Sequence, residues 1–503
     1  MHRSTIKILS LVLLVSLLGS CKKWVDYDPR DEFKITELDY LKSESDYRTM
    51  AISVYTPLQW INQAVPVADI ASDNAVSGGE NASDVLPLQQ IDDYTHTPVN
   101  ATLTEIWRAS YEGINRANYL TRYKAANLDG KAIEFAGKEA LYGEINFLRA
   151  YYYFTLVKFF GDVPLFADRR LGLADSRSLS KAPRADVYKQ IELDLTNAIG
   201  VLPAIQTQKG RVTKYAAQAL LGKVLLYQNK FTEAAPILEA VISSNAFSLV
   251  TNFGSIFLAG GENGTESVFE IQYSNTSPYY NWDEVTRGQG NLSVQQCGIR
   301  GINGSAAMPY SPGWSTNLPT QNLAAAYTAG DKRKAVTILD IEAYKAANPS
   351  FNITYQVAPF KNTGLYNQKY LPRKNETSGQ LELNYLNNYR TIRYAEVYLM
   401  AAEAYNRSSA PNDTKAREYL NKVRQRAFGD MLHDITSSGA ALKQAIWDER
   451  RLELAMEGDR FFDLVRTGQA AAKVTGFVPG KHELFPIPQQ EVTVSGIVQN
   501  TGY

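Results

Sequence analysis

Between Trp447 and Gly468 the chain reads WDERRLELAMEGDRFFDLVRTG. Carboxylates and arginines at this density are the raw material of acid–base catalysis, with Asp448 or Glu449 as the proton carrier. The spacing also fits a second use. Ile446, Arg450, Glu453 and Glu457 fall along one side of a helix, with Trp447, Leu454 and Met456 as apolar bulk beside them. Asp448 with Arg451, and Arg450 with Glu453, stand at i, i+3, where helical side chains meet. Gly458 then caps that helix, Asp459 starts a shorter one, and Phe461, Phe462, Leu464 and Val465 give it a buried side. We expect a clasp of ion pairs and aromatics here.

A different chemistry is offered by Tyr279, Tyr280 and Trp282, and by Tyr310 and Trp314, all in stretches rich in Asn, Gly, Ser and Pro. Flat rings stack on the apolar faces of sugars, and neighbouring Asn, Asp, Gln and Arg bind hydroxyls. Each ring has an alternative use as an anchor that ties its loop to the body. Trp107 and Trp447 lie in helical patterns and are expected in the core; Trp60 fits either use. Asp73 and Asn74, in the polar stretch 69–96, join the candidate ligand-binding set. That stretch does not fit an EF-hand, because Asp69, Asp73 and Asn74 miss the alternate ligand positions and no Glu closes the loop.

Other signatures are missing. His96, His433 and His482 are far apart, and there is no H-E-x-x-H, G-x-S-x-G or phosphate-binding loop. Gly288-Gln289-Gly290 lacks the third glycine of a dinucleotide site. No cofactor, metal or catalytic residue is therefore expected, although any two acids can meet across a cleft as a glycosidase pair.

The elements that must position these residues are mainly helical. Apolar periodicity predicts helices over 45–62, 104–123, 131–160, 185–202, 213–228 and 232–243, with a further pair over 390–407 and 414–426. In 131–160 two apolar faces coexist, one through Leu141, Ile145, Leu148 and Tyr152, the other through Phe147, Tyr151 and Phe154, as in a helix buried between neighbours. Leu221-Gly222, Phe231 and Ala234 follow the tetratricopeptide pattern, with Leu225 where Tyr is usual. Between the helical parts, 245–385 is irregular, with a strand over 267–273 and a helix over 320–327. So long an irregular stretch is functional or disordered, and its many aromatics argue against disorder. The fold class expected is mainly α: tetratricopeptide-like helical pairs carrying a long loop-rich insert with short strands.

Lys and Arg total 52 and Asp and Glu total 52. This balance removes the electrostatic case for nucleic acid as a partner. The first twenty residues look like an export signal: Arg3 and Lys7, an apolar run over 8–18 too short to span a bilayer, then Leu18-Gly19-Ser20-Cys21. Small residues before a lone Cys resemble a lipobox, which implies cleavage before Cys21 and lipid attachment there. The expected organisation is a signal peptide over 1–20 and one domain over 21–503, made of an N-terminal helical part 21–244, a ligand-binding insert 245–385 and a C-terminal helical part 386–503. Cys297 is left as the sole thiol of the body.

These residues resemble the SusD/RagB family of outer-membrane nutrient-binding lipoproteins of Bacteroidetes. The likeness runs along the whole chain: the lipobox with Trp24-Val25-Asp26 and Pro29; Ser72-Asp73-Asn74; the stretch from Glu144 to Phe154 with Phe160-Gly161-Asp162-Val163-Pro164; Pro319-Thr320 and Gly330-Asp331-Lys332-Arg333; Lys369-Tyr370; Arg393-Tyr394-Ala395-Glu396; the Trp447–Gly468 block; Pro486-Ile487-Pro488; and Asn500-Thr501-Gly502-Tyr503. The resemblance implies a helical-repeat scaffold under a variable, irregular half. It implies a lipid-anchored protein of the outer membrane that captures oligosaccharide and passes it to a SusC-like TonB-dependent transporter, without catalysis. A peptide or another nutrient is the alternative cargo. Lys22-Lys23 stands where many exported members carry an acidic run, a departure that bears on outward display.

Overall fold

A computed structural model describes residues 40–172, 174–282, 287–356 and 360–503; Cys21 and the lipobox lie outside them. Helix α1 (Glu44–Trp60) opens on a capping box, Ser43 and Asp46 each bonding the other's backbone amide. The stretch 69–96, read from its composition as loop, also contains structure: the end of α2 (Ala64–Ile70), strand β1 (Ala75–Val76) and α3 (Leu86–Asp92). Helix α4 (Ala101–Arg122) follows, then α5 (Lys138–Phe160). The latter begins later than periodicity suggested, because Gly137 adopts the left-handed conformation and breaks the run. Helices α6 (Arg184–Val201), α7 (Lys214–Tyr227) and α8 (Phe231–Ser243) complete the first half.

The insert carries β2 (Ser267–Ile271), α9 (Ser293–Cys297), β3 (Leu318–Pro319), α10 (Gln321–Ala326), β4 (Ile338–Asp340) and β5 (Leu365–Asn367), and β6 (Tyr389–Arg393) follows it. The chain returns to helix as α11 (Tyr394–Arg407), α12 (Asp413–Phe428), α13 (Gly439–Glu453) and α14 (Arg460–Arg466). The strands form antiparallel pairs β1–β3, β2–β6 and β4–β5. Residues 390–393, expected to begin a helix, are strand because β2 supplies their ladder partner.

The helices stack in one series. α1 packs on α4, α4 on α5, α5 on α6, α6 on α7, α7 on α8, then α8 directly on α11, and α11 on α12 and α13. The tetratricopeptide signal is physical: a side chain at Gly222 would put its Cβ 2.4 Å from Leu238 Cδ2, so α7 and α8 approach only because that position is bare. Both faces of α5 are buried, including Phe147, Tyr152, Tyr153 and Phe159, each side chain contributing about 1.5–3 kcal/mol by leaving water. One apolar core runs from Leu41 to Ile497, and the insert adds a smaller one around Ile299, Leu318, Leu339 and Tyr366.

The acid and arginine block is the clasp of this fold; Arg466 and Asp463 pair at i, i+3, 2.7 Å apart, but the partners of Arg450, Glu453 and Glu457 lie outside their own helix. Arg450 binds Asp463 at 3.1 Å and Glu396 at 3.3 Å. Glu453 meets Arg426, Arg393 and Arg333 at 2.5, 2.8 and 3.0 Å. Glu457 receives Lys369 and Arg393 at 2.6 and 2.7 Å. Burial favours the neutral acid at Glu453, yet the guanidinium groups of Arg426, Arg393 and Arg333 outweigh it and hold the carboxyl below its ordinary value. Helix α13 ends at Glu453, a turn before Gly458, which with Met456 adopts positive φ in the linking turn. Asp459 does not cap α14; its carboxylate accepts from Lys223 of α7 at 2.7 Å.

Candidate functional site

Trp282 ends a segment whose backbone is tied to Gln289. The Ser274 amide donates to Gln289 O at 3.0 Å and the Gln289 amide to Pro278 O at 3.2 Å. The return path runs so close that a Cβ on Gly288 would lie 1.8 Å from the Tyr280 nitrogen. Asn384 grips the outgoing path: its Oδ1 accepts from the Tyr280 amide at 2.7 Å and its Nδ2 donates to the Tyr280 carbonyl at 2.9 Å. The Tyr279 ring lies against the backbone of Gly379. Trp282 is left 56% exposed and Tyr279 39%.

Trp314 comes from another loop and is held from beneath. Its amide donates to Gln295 O at 2.8 Å. Its indole Nε1 donates to the Gln295 side-chain amide oxygen at 3.3 Å when the amide is oriented so that its nitrogen donates to Tyr385 Oη at 2.9 Å. Its carbonyl accepts from Arg300 at 2.9 Å, and the same guanidinium pairs with Asp84. Gly298 and Gly313 touch backbone to backbone, a Cβ on Gly313 falling 2.2 Å from Gly298 Cα. The outcome is a pair of indoles from separate loops, with centroids 5.8 Å apart and planes inclined at 30°. The polar edge of Trp314 is satisfied and its ring is half-buried, while Trp282 beside it stands at the surface, a geometry suited to stacking on flat apolar ligand faces.

The remaining candidates fall elsewhere. Tyr280 is half-buried and packs on the main core. Tyr310 is a core residue of the insert, its ring 5.5 Å from Tyr344. Asp73 is gripped by Arg460 through hydrogen bonds of 2.7 and 2.9 Å and approached by Arg451 at 3.2 Å. Burial works to raise its pKa, but these arginines hold the carboxyl below its ordinary range. Asn74 is fully buried, with Oδ1 accepting from Arg451 Nε at 2.8 Å. Asp73 and Asn74 therefore latch the first loop to the clasp. Asn384, Gln295 and Arg300, which position the indoles, carry no local sequence signal. Trp60 lies under two guanidinium groups, Arg116 at 5.1 Å and Arg287 at 4.9 Å from the ring centroid. Cys297 is buried, and burial pushes its thiol pKa up. Among the described residues no group of three His, Cys, Asp or Glu is placed to hold a metal, and no helix is long and apolar enough to cross a membrane.

Comparison with known proteins bears on what this surface serves. A profile described as "SusD family" matches residues 355–482, and one described as "Starch-binding associating with outer membrane" matches residues 23–226. A solved laminarin-binding SusD-like protein superposes with a TM-score of 0.82 at 35% identity, covering 92% of this chain and 100% of that one. This chain belongs to the SusD family. Its SusD-family relatives include SusD-like protein P2 of Formosa agariphila, 27% identical over 99% of each chain. They also include surface glycan-binding protein A from Bacteroides thetaiotaomicron, solved in complex with laminarihexaose, with a TM-score of 0.79, 26% identity and coverage of 91% of this chain and 100% of that one. The mainly helical architecture with short strands is thus that of SusD-like proteins, and the two solved relatives carry names of glycan binders.

Proposed function

We propose that this protein is a cell-surface glycan-capture lipoprotein that passes oligosaccharide to a SusC-like TonB-dependent transporter. In this reading residues 1–20 are removed, Cys21 carries the lipid, and a single domain over 21–503 faces outward from the outer membrane. The protein binds without catalysis and without a cofactor, and the insert 245–385 supplies the contact. Capture takes place at Trp282 and Trp314, with Tyr279 flanking them. The single observation that carries the reading is the inclined indole pair, exposed Trp282 beside half-buried Trp314, built from two loops and supported from below by buried polar groups. The names of the glycan-binding relatives support the ligand class, and laminarin is the first ligand to try.

Titration calorimetry with laminarihexaose and affinity electrophoresis in laminarin test it. Trp282→Ala and Trp314→Ala should each weaken binding about tenfold or more, as removal of a central aromatic anchor does. Full affinity in the double variant overturns the assignment of the site. Turnover of a glycan by the purified protein overturns the non-catalytic reading.

A further inference from the structure

The connection 203–213 between α6 and α7 forms a strap over a second concavity. Arg211 donates to both carboxylate oxygens of buried Glu144 at 2.9 Å, and Tyr55 Oη donates to the same carboxylate at 2.5 Å. The Val212 amide donates to Tyr55 Oη at 3.1 Å. Gly210 has φ +81 and rests on Gln272, where a Cβ would fall 2.4 Å from Cγ. The walls are therefore preformed. Between the strap, α1 and β2 lies a cleft of about 430 Å³, within the usual size of small-ligand sites. A smaller chamber of about 210 Å³ lies on the other side of the strap.

The lining has one repeated feature: glutamines pinned at one end. Gln59 Nε2 donates to Gln272 O at 2.9 Å, Gln208 Oε1 accepts from Arg211 Nε at 3.0 Å, and Gln289 Nε2 donates to Ser277 O at 2.9 Å. Each leaves its other amide atom uncommitted among the described residues. Two acceptors and one donor thus accompany the Lys209 ammonium at the rim. Glu270, the acid in the cleft, is occupied by the Asn263 amide at 3.0 Å and Asn388 Nδ2 at 3.1 Å. Ile52, 53% exposed, and Leu58 supply apolar surface beside these amides. Oriented neutral amides around an apolar wall match hydroxyls that donate and accept, arrayed on a ring with hydrocarbon faces. They do not match a strongly charged ligand, because of the two cations in the lining Arg211 is already paired with Glu144 and Lys209 alone is left.

We propose that this cleft is a second saccharide site, binding neutral hexose units of an oligosaccharide. The proposal rests on the glycan-capture reading. Gln289 is tied by hydrogen bonds to Ser274, Ser277 and Pro278, on the segment that leads to Trp282, so the two sites share one supporting element and a long glycan can engage both.

The test uses laminarihexaose and laminarin with the full mature protein. Two double variants are compared, Gln59→Ala with Gln208→Ala and Trp282→Ala with Trp314→Ala, together with the combined four-fold variant; unchanged thermal unfolding checks each fold. The glutamine variant should keep tight hexasaccharide binding and lose about three- to tenfold in retention by laminarin, through lost avidity. The tryptophan variant should keep weak hexasaccharide binding that the four-fold variant lacks. Laminarin retention unchanged in the glutamine variant, with binding abolished in the tryptophan variant, overturns the second site and leaves the first. Full binding in the tryptophan variant that disappears in the four-fold variant supports the cleft and overturns the first site. Failure of either probe to bind the unmodified protein overturns both.

Discussion

The carboxylate of Asp69 accepts a hydrogen bond from the Gly458 amide at 3.0 Å, across a separation of 389 residues. Its other oxygen accepts from Asn317 Nδ2 at 3.0 Å. One buried acid thus gathers the first loop, the insert and the clasp. Burial pushes its pKa up to about 7, despite these hydrogen bonds.

The sign of the pH effect follows. An acid whose folded pKa is raised stabilises the fold below its unfolded value and loses that contribution as pH rises through the folded one. Between pH 6 and 8 the loss from Asp69 is about 1.4 kcal/mol. Asp69→Asn should remove this slope. The check is chemical denaturation across that range for both proteins.

His96 acts in the opposite direction. It is enclosed by the rings of Tyr94, His482, Phe485 and Tyr503. Burial, with the nearby His482 and Lys481, pushes its pKa down to about 4. The unfolded chain therefore takes up the proton first, and stability falls from about pH 6.5 toward pH 4 by as much as about 3 kcal/mol. His96→Asn should flatten the unfolding free energy over that interval.

The clasp should be stability-critical and binding-neutral. Arg393 is fully buried between Glu453, Glu457 and Glu266. Arg393→Ala removes the one cation that bridges all three carboxylates, leaving them to Arg426, Arg333 and Lys369, and should cost about 3–5 kcal/mol. Laminarin affinity of the fraction that stays folded should be unchanged, read by calorimetry scaled to folded protein.

Two aromatic substitutions should separate cleanly. Trp282→Ala, at an exposed site, should shift unfolding free energy by no more than about 0.5 kcal/mol. Tyr310→Ala, in the core of the insert, should cost about 3–5 kcal/mol. Urea titration of both variants distinguishes them.

The same comparison explains how far the chain could be read unaided. Helices with dense apolar faces, such as α5, and the bare contact at Gly222 declare themselves locally, because their periodicity and spacing are local. Tyr310 and Trp282 do not differ locally: both stand in Pro- and Gly-rich stretches. The core that takes in Tyr310 also draws on Leu318, Leu339 and Tyr366 from elsewhere in the insert. Asp73 looks like a loop acid because its arginine is 387 residues away. The i, i+3 pairs expected in the clasp lose to tertiary partners from β6, α12 and the insert, which offer buried bidentate geometry that an exposed helical pair does not.

Arg333 and Lys369 lie in the insert, yet their carboxylate partners Glu449, Glu453 and Glu457 belong to the C-terminal part. For a chain made from its N-terminus this has a temporal consequence. When residue 400 has been added, Lys369 is present without Glu457, and Arg333 has Asp331 beside it but neither Glu449 nor Glu453. The insert cannot reach its final packing until Glu449, Glu453 and Glu457 arrive, and a chain cut short before residue 449 would keep its helical beginnings but leave Lys369 without its carboxylate and Arg333 with Asp331 alone.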